Sequence, residues 1–350
     1  MKKSGSKTSI IWPAEWHRQS AIQLTWPHID SDWREVYEEV LSCYLELSKA
    51  ITRYQPLVIV AQEKESVVSL LEGNTGPYPF KVVLCKTNDT WARDHGGISV
   101  FNGGVPQLYD YRFNGWGLKF PSDLDNQITS HLFQSNTFSS EVQYRNALDF
   151  VLEGGGIETD GKGSCMVTEA CLLSKNRNEH LDKQQIEHRL RQDLGVDHIL
   201  WLTAGEIDGD DTDSHIDTLA RFVAEDTIVY QGCDDPNDDH YEILNEMANI
   251  LGSFRQPNGE PYRLVCLPWP SAKYDDQNER LPATYANFLI INGAVLVPTY
   301  YDQSDEEVLR IFSQLFPKRD VIGVDCSVLI KQHGSLHCVT MQYPEGFIEI

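Results

Sequence analysis

The sequence predicts an α/β fold made of about five β/α units arranged in a ring. Three observations lead there. Five extended segments each break at a turn and then resume: GISVFNGGVPQLYDY, IETDGKGSCMVTEA, LARFVAEDTIVYQ, NFLIINGAVLVPTY and HCVTMQYPEGFIEI. Their turns begin near Asn102, Asp160, Glu225, Asn292 and Glu345, spaced 58, 65, 67 and 53 residues apart. Helical stretches lie between them, and a period of this size, hairpin plus helix, suggests a cyclic array. Two unrelated α/β lobes are the alternative. No linker-like or low-complexity segment divides the chain, so one domain over residues 1–350 is expected.

The elements follow in order. SDWREVYEEVLSCYLELSKAI, beginning at Ser31, reads as a helix. The first segment turns at Asn102-Gly103, the second at Asp160-Gly161 and the fourth at Asn292-Gly293, dipeptides that favour tight hairpin turns. The second also resembles the phosphate loop G-x-x-x-x-G-K-[ST], but Gly163 replaces the hydroxyl residue and a strand pattern follows, so a tight turn is expected. Residues 178–195 and 240–254 carry apolar residues at three- and four-residue intervals. SDEEVLRIFSQLFP opens with a capping-box pattern, Ser304 to Glu307, and stops before Pro317.

Composition narrows the function. Hydrophobic residues make up 41% of the 350, enough for a substantial core. No apolar run approaches the ~18–20 residues that span a bilayer. The start, MKKSGSKTSIIWPAEWHRQS, lacks the apolar stretch of a signal peptide. A soluble, cytoplasmic protein without a membrane partner is expected. Eight cysteines show no C-x-x-C pair and read mostly as small buried hydrophobes. The net charge of −23 argues against nucleic acid as a partner, because that needs clustered Lys and Arg, and suits a small cationic ligand.

DGDDTDSHIDTLARF, from Asp208, places His215 among five aspartates. A solvated acidic loop is the plain reading. A calcium loop starting at Asp208 needs Gly at its sixth position and Glu at its twelfth, where the sequence has Asp213 and Leu219. If the run leads into a strand, period two puts Asp211, Asp213, His215 and Asp217 on one face. Asp94, Glu153 and Cys338 stand in similar places, just before hairpins. In a ring of units these strand ends converge, and one thiol, one imidazole and several carboxylates make a coherent nucleophilic site. Each also has a structural reading: a buried cysteine, an Arg93–Asp94 surface pair, a glutamate capping a glycine loop. His333 and His337 beside Cys338 suggest zinc, but ligands at 337 and 338 diverge in an extended chain, so no metal is expected.

Together these segments resemble the agmatine deiminase and bacterial peptidyl-arginine deiminase family of the pentein, or guanidino-group-modifying, superfamily. The motifs are PAEWHRQSAIQLTWP (13–27), NDTWARDHGG (88–97), FNGWGLKF (113–120), LEGGGIETDGKGS (152–164), DTDSHIDTLARF (211–222) and HGSLHCVTMQ (333–342). The resemblance implies a five-bladed pseudo-symmetric α/β propeller, the pentein fold. It makes Cys338 the nucleophile and His215 the general acid/base, with Glu153 orienting His215. Asp94 and Asp217 would clasp the guanidinium, Asp211 would bind substrate and Trp91 would wall the pocket. A guanidinium is a planar cation whose N–H donors form a fixed fork, which paired carboxylates match.

The implied reaction is hydrolytic deimination of a small cationic guanidino compound. Agmatine, giving N-carbamoylputrescine and ammonia through a covalent amidino–cysteine intermediate, is the leading candidate. No metal or organic cofactor is implied. The family's usual G-H-x-D-N is Ser214-His215-Ile216-Asp217-Thr218 here; where a Gly-Gly pair usually precedes the cysteine motif, this chain has Gln332-His333-Gly334; and Gly97 takes a usual proline place. A peptidyl- or free-arginine deiminase is the second reading, with Arg93 or Arg112 to meet a carboxylate. A non-catalytic guanidinium-binding propeller is the third. The sequence assigns no role to Asp213, His333 or His337 and leaves a homo-oligomer open.

Overall fold

A computed structural model describes residues 10–350. The first nine residues, on which the expectation of no signal peptide partly rests, lie outside the described residues. The described residues form five sheets of three or four strands and one two-stranded ribbon, Lys273–Tyr274 with Arg280–Leu281.

The five sheets share one strand pattern. An antiparallel pair comes first, and a third strand then runs parallel to the second. Ile98–Asn102 and Val105–Arg112 are followed by Gln143–Val151. Ile157–Thr159 and Ser164–Thr168 are followed by His198–Leu202. Ala220–Ala224 and Thr227–Gln231 are followed by Arg263–Leu267, and Leu289–Ile291 and Ala294–Thr299 by Asp320–Asp325. Four expected hairpins therefore form. A parallel neighbour needs a crossover, and helices supply it at Ile128–Gln134, Lys183–Leu194, Tyr241–Ser253 and Asp305–Leu315.

The fifth expected hairpin does not form. Thr340–Pro344 pairs antiparallel with Gln19–Thr25, at the other end of the chain, and Leu57–Ala61 and Phe80–Leu84 continue that sheet in parallel. Pro344 lacks an N–H, Gly346 turns with φ 91°, and Ile348 makes a single bridge to Phe138. The last sheet is thus shared between the two ends of the chain.

The helices form where periodicity and caps agree. Val40, Tyr44, Leu47 and Ile51 bury one face of Tyr37–Ile51. Lys183–Leu194 starts at a reciprocal cap between Asp182 and Gln185 and ends at left-handed Gly195. The expected box at Ser304 is absent: its hydroxyl donates to Trp269 O at 3.4 Å instead of capping. At the D-G-K-G turn, Asp160 Oδ1 accepts from the N–H groups of Lys162 (2.7 Å) and Ser164 (2.9 Å). No helix among the described residues is long and apolar enough to cross a membrane.

Candidate active site

Short turns precede the first strand of each sheet, and these turns carry the site. Asp94 lies in Ala92–His95, before Ile98. Glu153 leads into Gly154–Gly156, before Ile157. His215 and Asp217 flank the start of Ile216–Leu219, before Ala220. Asn287 precedes Leu289, and Cys338 precedes Thr340.

The glycine run after Glu153 lets these turns meet. A Cβ on Gly155 would lie 2.6 Å from His215 Nδ1, 2.8 Å from Asp94 Oδ1 and 3.2 Å from Asp217 Oδ1. Three polar atoms thus surround one backbone point that has no room for a side chain. Gly155 N–H donates to Asp94 Oδ1 at 3.0 Å, and Trp116 Nε1 donates to Asp94 Oδ2 at 2.9 Å. Asp94 Oδ1 and His215 Nδ1 are 3.6 Å apart. Cys338 Sγ is 4.0 Å from Asp217 Oδ2 and 3.3 Å from Asn287 Oδ1. Cys338, His215, Asp94 and Asp217 are all buried, and Asp217 Oδ1 has no hydrogen-bond partner.

The segment expected as a strand over Asp211–Asp217 is a pinned loop up to His215 and then the start of the short helix Ile216–Leu219. Asp213 and Ser214 take left-handed φ values of 66° and 63°, which destroys the alternation. Asp210 accepts from Thr212 Oγ1 (2.6 Å) and from Ser214 N–H (2.7 Å), and Thr212 Oγ1 accepts from His215 N–H (3.1 Å). Asp213 therefore parts from Asp217: it pairs with Lys119 (2.7 Å) and Arg177 (2.5 Å). Glu153 lies behind His215, where Arg177 Nε donates to both its oxygens at 2.9 and 3.0 Å. Glu153, Cys171 and His215 offer ligand atoms within 4.8 Å of one another. The Arg177 guanidinium already occupies that carboxylate, so this cluster is a poor cation site.

An open cleft reaches Cys338 and Asp94. Trp91, Trp116 and Phe120 give it aromatic walls, and Asp32, Asp89, Asp211 and His333 line it as well. Trp91 is pressed against Gly334, where a Cβ would sit 2.2 Å from the indole. Trp116 is brought in by a left-handed turn, Gly115 to Leu118, with φ between 55° and 84°. Thr218, in the family's usual asparagine place, also lines the cleft, and His333 is tied to Gly209 O at 2.8 Å. Neither proposed carboxylate-binding arginine faces the cleft. Arg93 is buried beside Glu15 and donates to Gln342 Oε1 at 2.6 Å, and Arg112 is exposed elsewhere.

Burial and charge set the protonation states. Burial, with Asp217 and Asp94 close by, holds the Cys338 thiol well above the ordinary cysteine range against opposing bonds from Ser335 N–H and Asn287. Burial disfavours the charged form of His215, but Asp94, Cys171 and Glu153 lift the ring well above its usual value. Burial pushes Asp94 up to about 6, with Asp217 adding to it and His215 opposing. Burial would also raise Asp217, but His337, His215 and Arg221 bring it below the usual carboxylate range. Among the other cleft-lining residues, burial takes Asp89 and Asp211 up to about 6 each.

Several contributors escaped the sequence reading: Asn287, Trp116, Arg177, Cys171, and Glu15 with His337. Asn287 left a usable signal, because it stands before the fourth hairpin where the other site residues stand before theirs.

The repeated β/α sheets and the thiol–imidazole–carboxylate cluster at their turns describe an α/β protein with a buried thiol site. The chain belongs to the Porphyromonas-type peptidyl-arginine deiminase family, whose model matches residues 11–344. It is 31% identical to agmatine deiminase from Pseudomonas putida over 95% of each chain. Among solved structures it is similar to a candidate arginine deiminase from Porphyromonas gingivalis (49% identity, TM-score 0.92, 97% of this chain and 100% of that one). It is also similar to a cysteine-to-serine variant of C. jejuni agmatine deiminase with substrate bound (38% identity, TM-score 0.91, 99% of both chains).

Proposed function

We propose that this chain is a hydrolase that converts agmatine and water to N-carbamoylputrescine and ammonia. The observation that carries the reading is the convergence of Cys338, His215, Asp94 and Asp217 beside an acidic, aromatic-walled cleft. The agmatine deiminases among its relatives supply the substrate. We read the five sheets as blades of one pseudo-fivefold propeller, a single catalytic unit working in the cytoplasm, alone or as a homo-oligomer.

Asp94 and Asp217 hold the guanidinium, and the free Oδ1 of Asp217 takes one of its N–H groups. The entering cation offsets the two carboxylates that, with burial, keep the Cys338 thiol neutral, so the thiol proton passes to water in the cleft and the thiolate attacks the guanidinium carbon. Protonated His215 gives its proton to the departing nitrogen, the C–N bond breaks and ammonia leaves. An amidino thioether remains on Cys338. His215, now neutral, takes a proton from water, the hydroxide adds to the same carbon, and the C–S bond breaks. As the C=O forms, the hydroxyl proton of the adduct passes to the departing thiolate, and the ureido product leaves. Glu153, fixed by Arg177, supports the charged His215 ring through its field.

The second reading, deimination of arginine or peptidyl-arginine, is favoured by the family's description and by the P. gingivalis relative. The cleft lining opposes it: Asp32, Asp89 and Asp211 lie there, with no Arg or Lys among the lining residues. Ammonia release across agmatine, arginine, arginyl peptides and small guanidines tests the proposal. Agmatine should lead; no release from any of them ends the hydrolase reading.

A further inference from the structure

Behind the reacting groups lies a buried charge network that the mechanism above does not use. His337 is its hinge, with both ring nitrogens against carboxylates: Nδ1 is 2.7 Å from Asp217 Oδ2 and Nε2 is 2.6 Å from Glu15 Oε2. Glu15 is further tied to Arg221 Nη2 (2.9 Å) and accepts Ile290 N–H (2.6 Å), and Arg93 approaches to 3.6 Å. Burial would raise Glu15, but Arg221, His337 and Arg93 together keep its carboxyl well below the usual range. With both carboxylates ionised, both contacts are hydrogen bonds only if both ring nitrogens carry hydrogens. The ring is therefore a double donor strung between an immobile anchor and a site carboxylate. Its backbone is fixed as well, since His337 N–H donates to Asn287 Oδ1 at 2.8 Å.

The consequence falls on Asp217. One oxygen is occupied by His337, and the other, fully buried, has no partner and lies with His215 Nδ1 and Asp94 Oδ1 around the Gly155 point. A free carboxylate would rotate to satisfy both oxygens locally; this one is prevented from doing so.

We propose that His337 is a positioning residue: anchored on Glu15, it fixes Asp217 by one oxygen so that the other stays free and aimed at the substrate guanidinium. This rests on the deiminase reading for the identity of the ligand, and it assigns His337 no contact with substrate.

Two replacements separate positioning from mere packing. The amide nitrogen of Asn falls near the place of the imidazole Nδ1, and that of Gln near Nε2. His337→Asn keeps the donor to Asp217 and loses the one to Glu15; His337→Gln does the reverse. Steady-state kinetics on agmatine should put His337→Gln about tenfold or more below His337→Asn in kcat/KM, the scale of one lost charge-assisted hydrogen bond, with KM taking most of the change. Equal losses, or a smaller loss in His337→Gln, would overturn the proposal. A second measurement needs no variant. Nitrogen NMR of histidine-labelled wild-type protein should find hydrogens on both His337 ring nitrogens, and a bare Nδ1 facing Asp217 overturns the proposal. If the wild-type protein releases no ammonia, the deiminase reading fails. Agmatine binding to Cys338→Ser carrying each replacement, followed by calorimetry, then decides the positioning role separately, with the same ordering expected in Kd.

Discussion

Cys338 Sγ stands 4.0 Å from Asp217 Oδ2, and both side chains are enclosed by protein. A thiol beside a buried carboxylate is held in its neutral form, so the group meant to attack is inert until a cation arrives between them. Binding and activation are one event in this arrangement. On the proposed function, the carboxylates that hold the guanidinium would cease to suppress the thiolate once they hold it.

The free thiol should accordingly be unreactive at neutral pH. Its folded pKa lies above the ordinary cysteine value of 9.0, so the thiolate appears only as pH rises past that value. Alkylation of the free protein by iodoacetamide, followed by loss of activity, should be slow at pH 7 and accelerate above pH 9. Asp217→Asn removes a charge that raises the thiol and should speed alkylation at pH 7 by about tenfold, since ~1.4 kcal/mol is a factor of ten. A rate that levels off below pH 8 in the wild-type protein contradicts this picture.

Turnover and binding should part company in Cys338→Ser. If the carboxylates hold the cation as proposed, they do so without the thiol, and agmatine affinity by calorimetry should stay within about tenfold of the wild-type KM. kcat should fall by a factor on the order of 10⁴ or more, as loss of a nucleophile commonly costs. Substantial residual turnover, or an adduct found by mass spectrometry on another residue, would move the nucleophile elsewhere.

Four hairpins were legible because each is local: a β-rich run, a turn signal such as Asn292-Gly293, and a second run that returns on the first. The strand Thr340–Pro344 was misread because its partner, Gln19–Thr25, is distant in sequence, and no local pattern announces such a pairing. Asp94 and Asp217 stand before hairpins that form, whereas Cys338 stands before a strand whose expected hairpin does not. The loop before His215 could not, because the left-handed Asp213 and Ser214 answer to hydrogen bonds from Asp210 and Thr212 rather than to strand periodicity. Arg177 and Glu15 were invisible for a third reason. Their partners, Glu153 with Asp213 and His337 with Arg221, come together only after the sheets assemble.

An acid limb should appear in kcat/KM. Asp94 has to be ionised to hold a guanidinium, and its pKa is about 6 in the free protein. Activity should therefore be intact above about pH 6 and decline as pH falls through it. Bound guanidinium favours the carboxylate, so the corresponding limb of kcat should lie at lower pH. Rates on agmatine from pH 4.5 to 8 check this (roughly one unit either side of the site carboxylates, and beyond). Coincident limbs, or none, would remove Asp94 from the cation-holding role.

Arg177→Ala should damage both stability and catalysis. Its guanidinium is the partner of Glu153, which is 1% exposed, and it also ties Asp213 and Thr212 O into the loop that presents His215. Removing one side of a buried ion pair costs about 3–5 kcal/mol. The urea midpoint should drop accordingly, and kcat should fall with it as His215 loses its support. Arg177→Lys should not restore activity, because one ammonium cannot span two carboxylates and a carbonyl. A variant as stable and active as the wild type would mean that this pair is incidental.

Substrate choice follows from the mouth of the cleft. Agmatine ends in an ammonium, and the mouth offers Asp32, Asp89 and Asp211. Asp213, although close in sequence, is spent on Lys119 and Arg177 and contributes nothing there. Asp211 is tempered by His333 and Lys119, and burial holds both it and Asp89 near 6, so at neutral pH both are largely ionised. Arginine would bring its own carboxylate to the same place with no Arg or Lys among the lining residues to receive it. Repulsion between charges a few ångströms apart is on the order of 1–4 kcal/mol between water-like and intermediate dielectric. Agmatine should therefore exceed arginine by roughly tenfold or more in kcat/KM. Asp211→Asn should narrow that gap, mainly by raising KM for agmatine. Kinetics on both substrates at matched ionic strength decide the matter. Equal efficiency on arginine or an arginyl peptide would leave the thiol chemistry standing and overturn agmatine as the substrate.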